Sequence, residues 1–167
     1  MTTFGLGWAL LALTGLELPV GVLVGMSAAA AAAAIVTMVG AHRAIGRLPA
    51  DAGAERTVLP AAGRYYQLVN LAQGLLIVVA VFGLVRAGQP AFIPPVVCAV
   101  VGAHFLPLAR VFDLPLYLRT GVALLLVAGA GALALASGID DGLVRAAVGL
   151  PAAAVLWGTA AAVARRG

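Results

Sequence analysis

Residues 63–86 read GRYYQLVNLAQGLLIVVAVFGLVR. Between Arg64 and Arg86 no side chain carries a formal charge. At 1.5 Å per residue the run is about 36 Å long, enough to cross the ~30 Å hydrocarbon core of a bilayer as one helix. The rest of the chain has the same character. Of 167 residues, 63% are hydrophobic and 10% charged, and the mean hydropathy is +1.12. A soluble domain carries roughly a quarter of its residues as charges. Lipid is therefore the expected solvent, and one membrane domain over 1–167 leaves little chain for anything outside it.

Outward from that run, turn residues divide the sequence into an all-α, polytopic bundle of about six transmembrane helices with mostly short loops. The expected helices cover 3–16, 19–41, 63–86, 94–110, 114–137 and 143–164. Glu17-Leu18-Pro19 splits the first apolar stretch, which is too long for a single span; the first helix is short and its full crossing stays open. The N-terminal segment lacks a basic start and runs on into apolar sequence, so it is expected to be a retained helix and not a cleaved signal. Residues 42–64, with four arginines and Pro49, Gly53 and Pro60, read as the one longer loop. Pro94-Pro95 suits the first turn of a helix, while Pro107 and Pro151 fall inside helices and are expected to bend them.

All ten positive charges are arginine, and in this trace eight fall on one side: Arg43, Arg47, Arg56, Arg64, Arg110, Arg119, Arg165 and Arg166, against Arg86 and Arg145. The positive-inside rule then puts both termini in the cytoplasm, and the abundance of Ala, Gly, Val and Arg with no Lys reads as that of a GC-rich bacterium, so a bacterial cytoplasmic (inner) membrane is expected. The net charge of +4 does not point to nucleic acid, because the arginines sit at helix ends and form no stripe. Arg64, Arg110 and Arg119 are candidate contacts for anionic headgroups, and membrane lipids are the expected partners. Cys98 is the single cysteine and excludes an intramolecular disulfide.

Polar groups within the spans are costly in lipid and mark where function should be sought. Tyr66, Asn70 and Gln73 fall within roughly a 60° arc of one helix, so a phenol and two amides share a face. His104 lies well inside the next helix. These four are the candidate lining of a polar cavity. The competing reading is that they serve as interhelical hydrogen bonds and an interfacial aromatic belt. No His, Cys or acid stands at i+3 or i+4 from His104, so no metal site and no cofactor is expected.

Small residues at Gly21, Gly25, Ala29 and Ala33, and the run Ala128 to Ala132, are candidate packing faces. Glu17-Leu18-Pro19-Val20 and Asp113-Leu114-Pro115-Leu116 share a pattern 96 residues apart, with Gly25 and Gly121 in register. That spacing fits an inverted repeat of the transporter kind, or simply an acid placed to cap two helices that begin with proline.

Residues 101–121, VGAHFLPLARVFDLPLYLRTG, resemble a segment of small uncharacterised polytopic bacterial membrane proteins, and PPVVCAVVGAH and RYYQLVN are compatible with the same group. The resemblance implies a bacterial integral membrane protein and transfers no activity. In that group the position of Asp113 varies and is often basic, which turns attention to His104, Pro107 and Arg110. Three functions stay open: binding or translocation of a small hydrophobic or amphipathic molecule, a structural or accessory subunit, and an intramembrane enzyme acting on a lipid or isoprenoid. Homo-oligomerisation is open as well.

Overall fold

The computed structural model describes residues 2–14 and 60–165; the expected helix at 19–41, with the Gly21–Ala33 stripe, and most of the loop after it lie outside the described residues. Among the described residues the chain is helical throughout, with α1 (Thr2–Thr14), α2 (Pro60–Arg86), α3 (Ile93–Val111), α4 (Pro115–Ala136) and α5 (Asp141–Ala164). A 3-10 turn at Pro90–Phe92 leads into α3. The observed ends lie within three residues of the expected ones, because the same prolines and glycines punctuate both. Among the described residues four stretches, Leu68–Arg86, Pro90–Val111, Pro115–Ala136 and Asp141–Ala164, are long and apolar enough to span a membrane. The chain is a helical membrane bundle.

The three turns between α2 and α5 are built alike. Each helix ends with a residue in the left-handed region, Gly88 (φ 70°), Asp113 (φ 48°) and Gly138 (φ 82°). In each, the following N–H reaches back five residues: Gln89 to Leu84, Leu114 to Ala109 and Ile139 to Ala134, at 2.9 to 3.1 Å. This Schellman closure satisfies carbonyls that a helix end would otherwise leave bare, and it turns the chain within a few residues. Asp113 therefore closes α3. It does not cap α4, as the acid-before-proline pattern suggested: Leu114 occupies that position and no side chain caps the helix. Asp140 does act as a cap, accepting from the Leu143 N–H at 3.0 Å.

Short turns make α2 to α5 alternate in direction, so Arg110, Arg119 and Arg165 gather at one end and Arg86 and Arg145 at the other. Helix α1 runs antiparallel to α5. Gly5 lies under the Trp157 ring and Gly149 faces Ala12, so the start of α1 and the end of α5 occupy the arginine-rich end.

Among the described helices the most extensive contact is between α3 and α4, followed by α1 with α5. Both rest on glycine. A Cβ on Gly121 would stand 2.7 Å from the Gly102 carbonyl oxygen, and one on Gly102 3.0 Å from that of Gly121, so the two backbones touch. A Cβ on Gly149 would meet Ala12 Cβ at 2.7 Å and the Trp8 carbonyl at 2.8 Å. In lipid, where apolar burial gives helices little reason to associate, such approach supplies dispersion contacts along the backbone. Of the expected small-residue run in α4, Ala128 and Gly131 are buried, while Gly129 and Ala130 face outward. The packing is stitched by buried polar groups. Cys98 Sγ contacts the Leu124 carbonyl at 3.4 Å. The Thr120 and Thr159 hydroxyls join α4 to α5 at 2.6 Å. Each threonine also reaches its own helix, at the carbonyls of Leu116 (2.9 Å) and Val155 (2.7 Å). Two hydroxyl protons serve three contacts, so the pair shares them.

Candidate functional site

Among the described helices long enough to span, α2 is the least buried. Only 6% of its spanning stretch is buried, against 39% for that of α3. Leu68, Leu71, Leu75 and Phe82 are 63 to 70% exposed, and the one buried side chain among those described on this helix is Gln73, at 7%. This is the reverse of a soluble helix, which turns amides to water and leucines to the core. It is the arrangement that lipid selects: aliphatic side chains outward, the amide against protein.

What Gln73 faces is a groove of about 510 Å³ between α2 and α3. Val69, Ala72, Gln73 and Leu76 form one wall, and residues from Ala99 to Pro107 on α3 form the other. Leu125 of α4 reaches in at one flank. The groove exists because the small side chains at Ala72, Ala99 and Ala103 face it and are not matched by large ones opposite. It is open along one side, and among the residues that line it none is charged.

His104 stands in this groove, half-buried, about 10 Å below the end of α3 counted along the helix. Nδ1 is shielded and has no partner. A half-buried imidazole thus keeps one ring nitrogen unsatisfied inside the protein. Its ring meets Phe105 edge-on at 5.7 Å, Phe105 meets Tyr117 at 5.6 Å, and Tyr117 meets Phe112 at 6.3 Å, an aromatic chain leading from the groove to the α3–α4 turn.

Of the four residues expected to share a cavity, Gln73 and His104 line the groove together. Asn70 is half-buried on α2 and is not among the lining residues. Three residues of helix place it about 60° round from Gln73, which turns it off the groove. Tyr66 and Arg64 belong to α2, and their side chains lie outside the described ones. Arg110 and Arg119 are exposed at the arginine-rich end, where headgroups would lie. Val69, Ala99 and Ala103 were not singled out from sequence and carry no local signal, whereas Pro107 drew attention through the HFLPLA segment.

Among the described residues no three of His, Cys, Asp and Glu come together. The arrangement can shelter an apolar body and hydrogen-bond one polar group. No family model, curated protein or solved structure matches the chain.

Proposed function

We propose that this chain is a multi-pass protein of a bacterial cytoplasmic membrane that binds, and in doing so can translocate, a small hydrophobic or amphipathic molecule in the α2–α3 groove. The observation that carries the reading is the pairing of Gln73 with His104 in an otherwise apolar groove open at its side. A purely structural joint between two helices would close over its polar groups, since each unsatisfied one costs free energy in lipid.

Six spans with the arginine-rich end in the cytoplasm remain the preferred topology. Helix α1 ends beside the first half of α5, whereas α2 starts at the end where α5 finishes. Residues 19–41 have the length and apolar composition of a further span. The HFLPLA segment belongs to this reading as well, since His104 and Pro107 both line the groove.

The test is native mass spectrometry of the protein in lipid nanodiscs, comparing wild type with Gln73→Ala and His104→Ala. A small molecule retained by wild type and lost from both variants supports the proposal. A discrete oligomer with no ligand in any sample would favour the scaffold reading, for which the exposed leucine face of α2 is the supporting feature. An enzyme using His104 for proton transfer would need a second titratable group in the groove, and the described lining residues include none.

A further inference from the structure

We infer that the occupant of the groove is a phospholipid with an anionic headgroup, drawn from the leaflet at the arginine-rich end, with its phosphate at Arg110 and one acyl chain lying between α2 and α3. The inference rests on the groove being the binding site and names the class of molecule it takes.

The groove leads to a charge. Ala99, Ala103 and Pro107 line it from α3, and at 100° per residue they span an arc of about 80°. Arg110, one turn beyond Pro107, falls inside that arc. A helical side chain covers the turn before its own Cα, which for Arg110 is the turn of Pro107. The residue is exposed, and among the described residues no acid pairs with it. On the α2 wall, Val69, Gln73 and Leu76 line the groove. Tyr65, 42% exposed, stands one turn before Val69 on the same face. The lines of the two walls thus end in a guanidinium and a phenol, the groups that anchor a protein at a headgroup layer.

Depth agrees with charge. From Arg110 to Ala99, as from Tyr65 to Leu76, the helix rises about 16 Å, roughly half of the ~30 Å hydrocarbon core. The site therefore reaches from one interface to the midplane, the depth of one leaflet's chain. His104 lies about 9 Å deeper than Arg110 along α3, where a lipid's ester groups follow its phosphate. Gln73 on the facing wall is 7% exposed, and its amide has N–H donors for an ester carbonyl. The open side of the groove leaves the second chain in the bilayer.

The sign of the headgroup follows from its surroundings. Arg110, Arg119 and Arg165 are exposed at this end, against Asp113 as the one acid there among the described residues. An anionic head meets that surplus directly, whereas a zwitterionic one brings an ammonium into it. Arginine also grips a phosphate with two parallel bonds.

The experiment uses the intact protein in phosphatidylcholine nanodiscs carrying a trace of photoreactive lipid, either phosphatidylglycerol or phosphatidylcholine, with the same diazirine-bearing chain. After illumination, labelled residues are located by peptide mass spectrometry. Phosphatidylglycerol is expected to label the α2 and α3 lining residues saturably, with competition by its unlabelled form. It should do so roughly fivefold more strongly than phosphatidylcholine, the worth of one guanidinium near an anionic lipid. In Arg110→Gln that preference should vanish while the phosphatidylcholine labelling stays; should the variant not fold, about 1 M salt on the wild type removes the same preference by screening. Equal, competable labelling by both lipids would overturn the anionic headgroup while leaving the groove as a site. A groove labelled by neither lipid above the outward-facing leucines of α2 would overturn the phospholipid as occupant, and the native mass spectra of Gln73→Ala and His104→Ala then decide whether the groove itself stands.

Discussion

Helix α3 meets two of its neighbours, α4 and α2, in opposite ways. Against α4 it presents Gly102, and the backbones touch at Gly121. Against α2 it presents Ala99, Ala103 and His104, and the helices stand apart around a groove of about 510 Å³. Small residues are used at both joints, so size alone does not decide closeness. At the first, glycine faces glycine and nothing else needs the space. At the second, alanines flank an imidazole and an amide too bulky and too polar for the helices to close over them. The tight joint holds the bundle; the loose one can give up its contents.

The tight joint should be the costliest place to intervene. Gly121→Val would drive a branched side chain into the Gly102 backbone, and we expect about 3 kcal/mol or more of lost stability in a detergent unfolding titration. An unchanged midpoint would mean that the two backbones do not touch. Gly149→Leu attacks the analogous α1–α5 contact and should cost about 2 kcal/mol, read as earlier exchange of α1 amides with deuterium while α3 and α4 stay protected.

Polar stitches rank lower. Thr120→Val removes the bond to Thr159, but leaves that hydroxyl its own partner at the Val155 carbonyl. The expected loss is therefore only about 0.6 kcal/mol, the usual scale of interhelical hydrogen bonds in lipid. The smallest effect has the opposite sign. Asp113→Gly relieves a left-handed backbone position and should raise stability by about 0.5 kcal/mol in the same titration.

The same joints mark where sequence reading stops. Helices α2 to α5 were legible almost to the residue, because long apolar runs bounded by proline, glycine and arginine admit one interpretation in a bilayer. Asp113 was misassigned to the start of α4, since an acid before Leu-Pro fits a cap as well as a closing residue and only the backbone angle separates them. Gly121 drew notice through a repeat pattern with Gly25, not through Gly102, which it touches; in a chain so rich in glycine and alanine, a contact between two helices leaves no trace in local spacing. Thr120 and Thr159 are 39 residues apart and carry no mutual signal. For the site, helical periodicity put Gln73 on a polar face of α2 and depth singled out His104. That the two share a groove, and that Asn70 turns away from it, depends on how α2 is rotated against α3, which is set by packing and not by either helix alone.

The most direct test of the account is to fill the loose joint without touching its polar groups. Ala103 is exposed and lines the groove, whereas Ala130 on α4 is exposed and is not among the lining residues. Native mass spectra of Ala103→Phe and Ala130→Phe in nanodiscs, compared with wild type, should show both variants folded, with the co-purifying molecule lost from Ala103→Phe alone. A ligand retained equally by both would place the binding site elsewhere and contradict the role given to the α2–α3 groove.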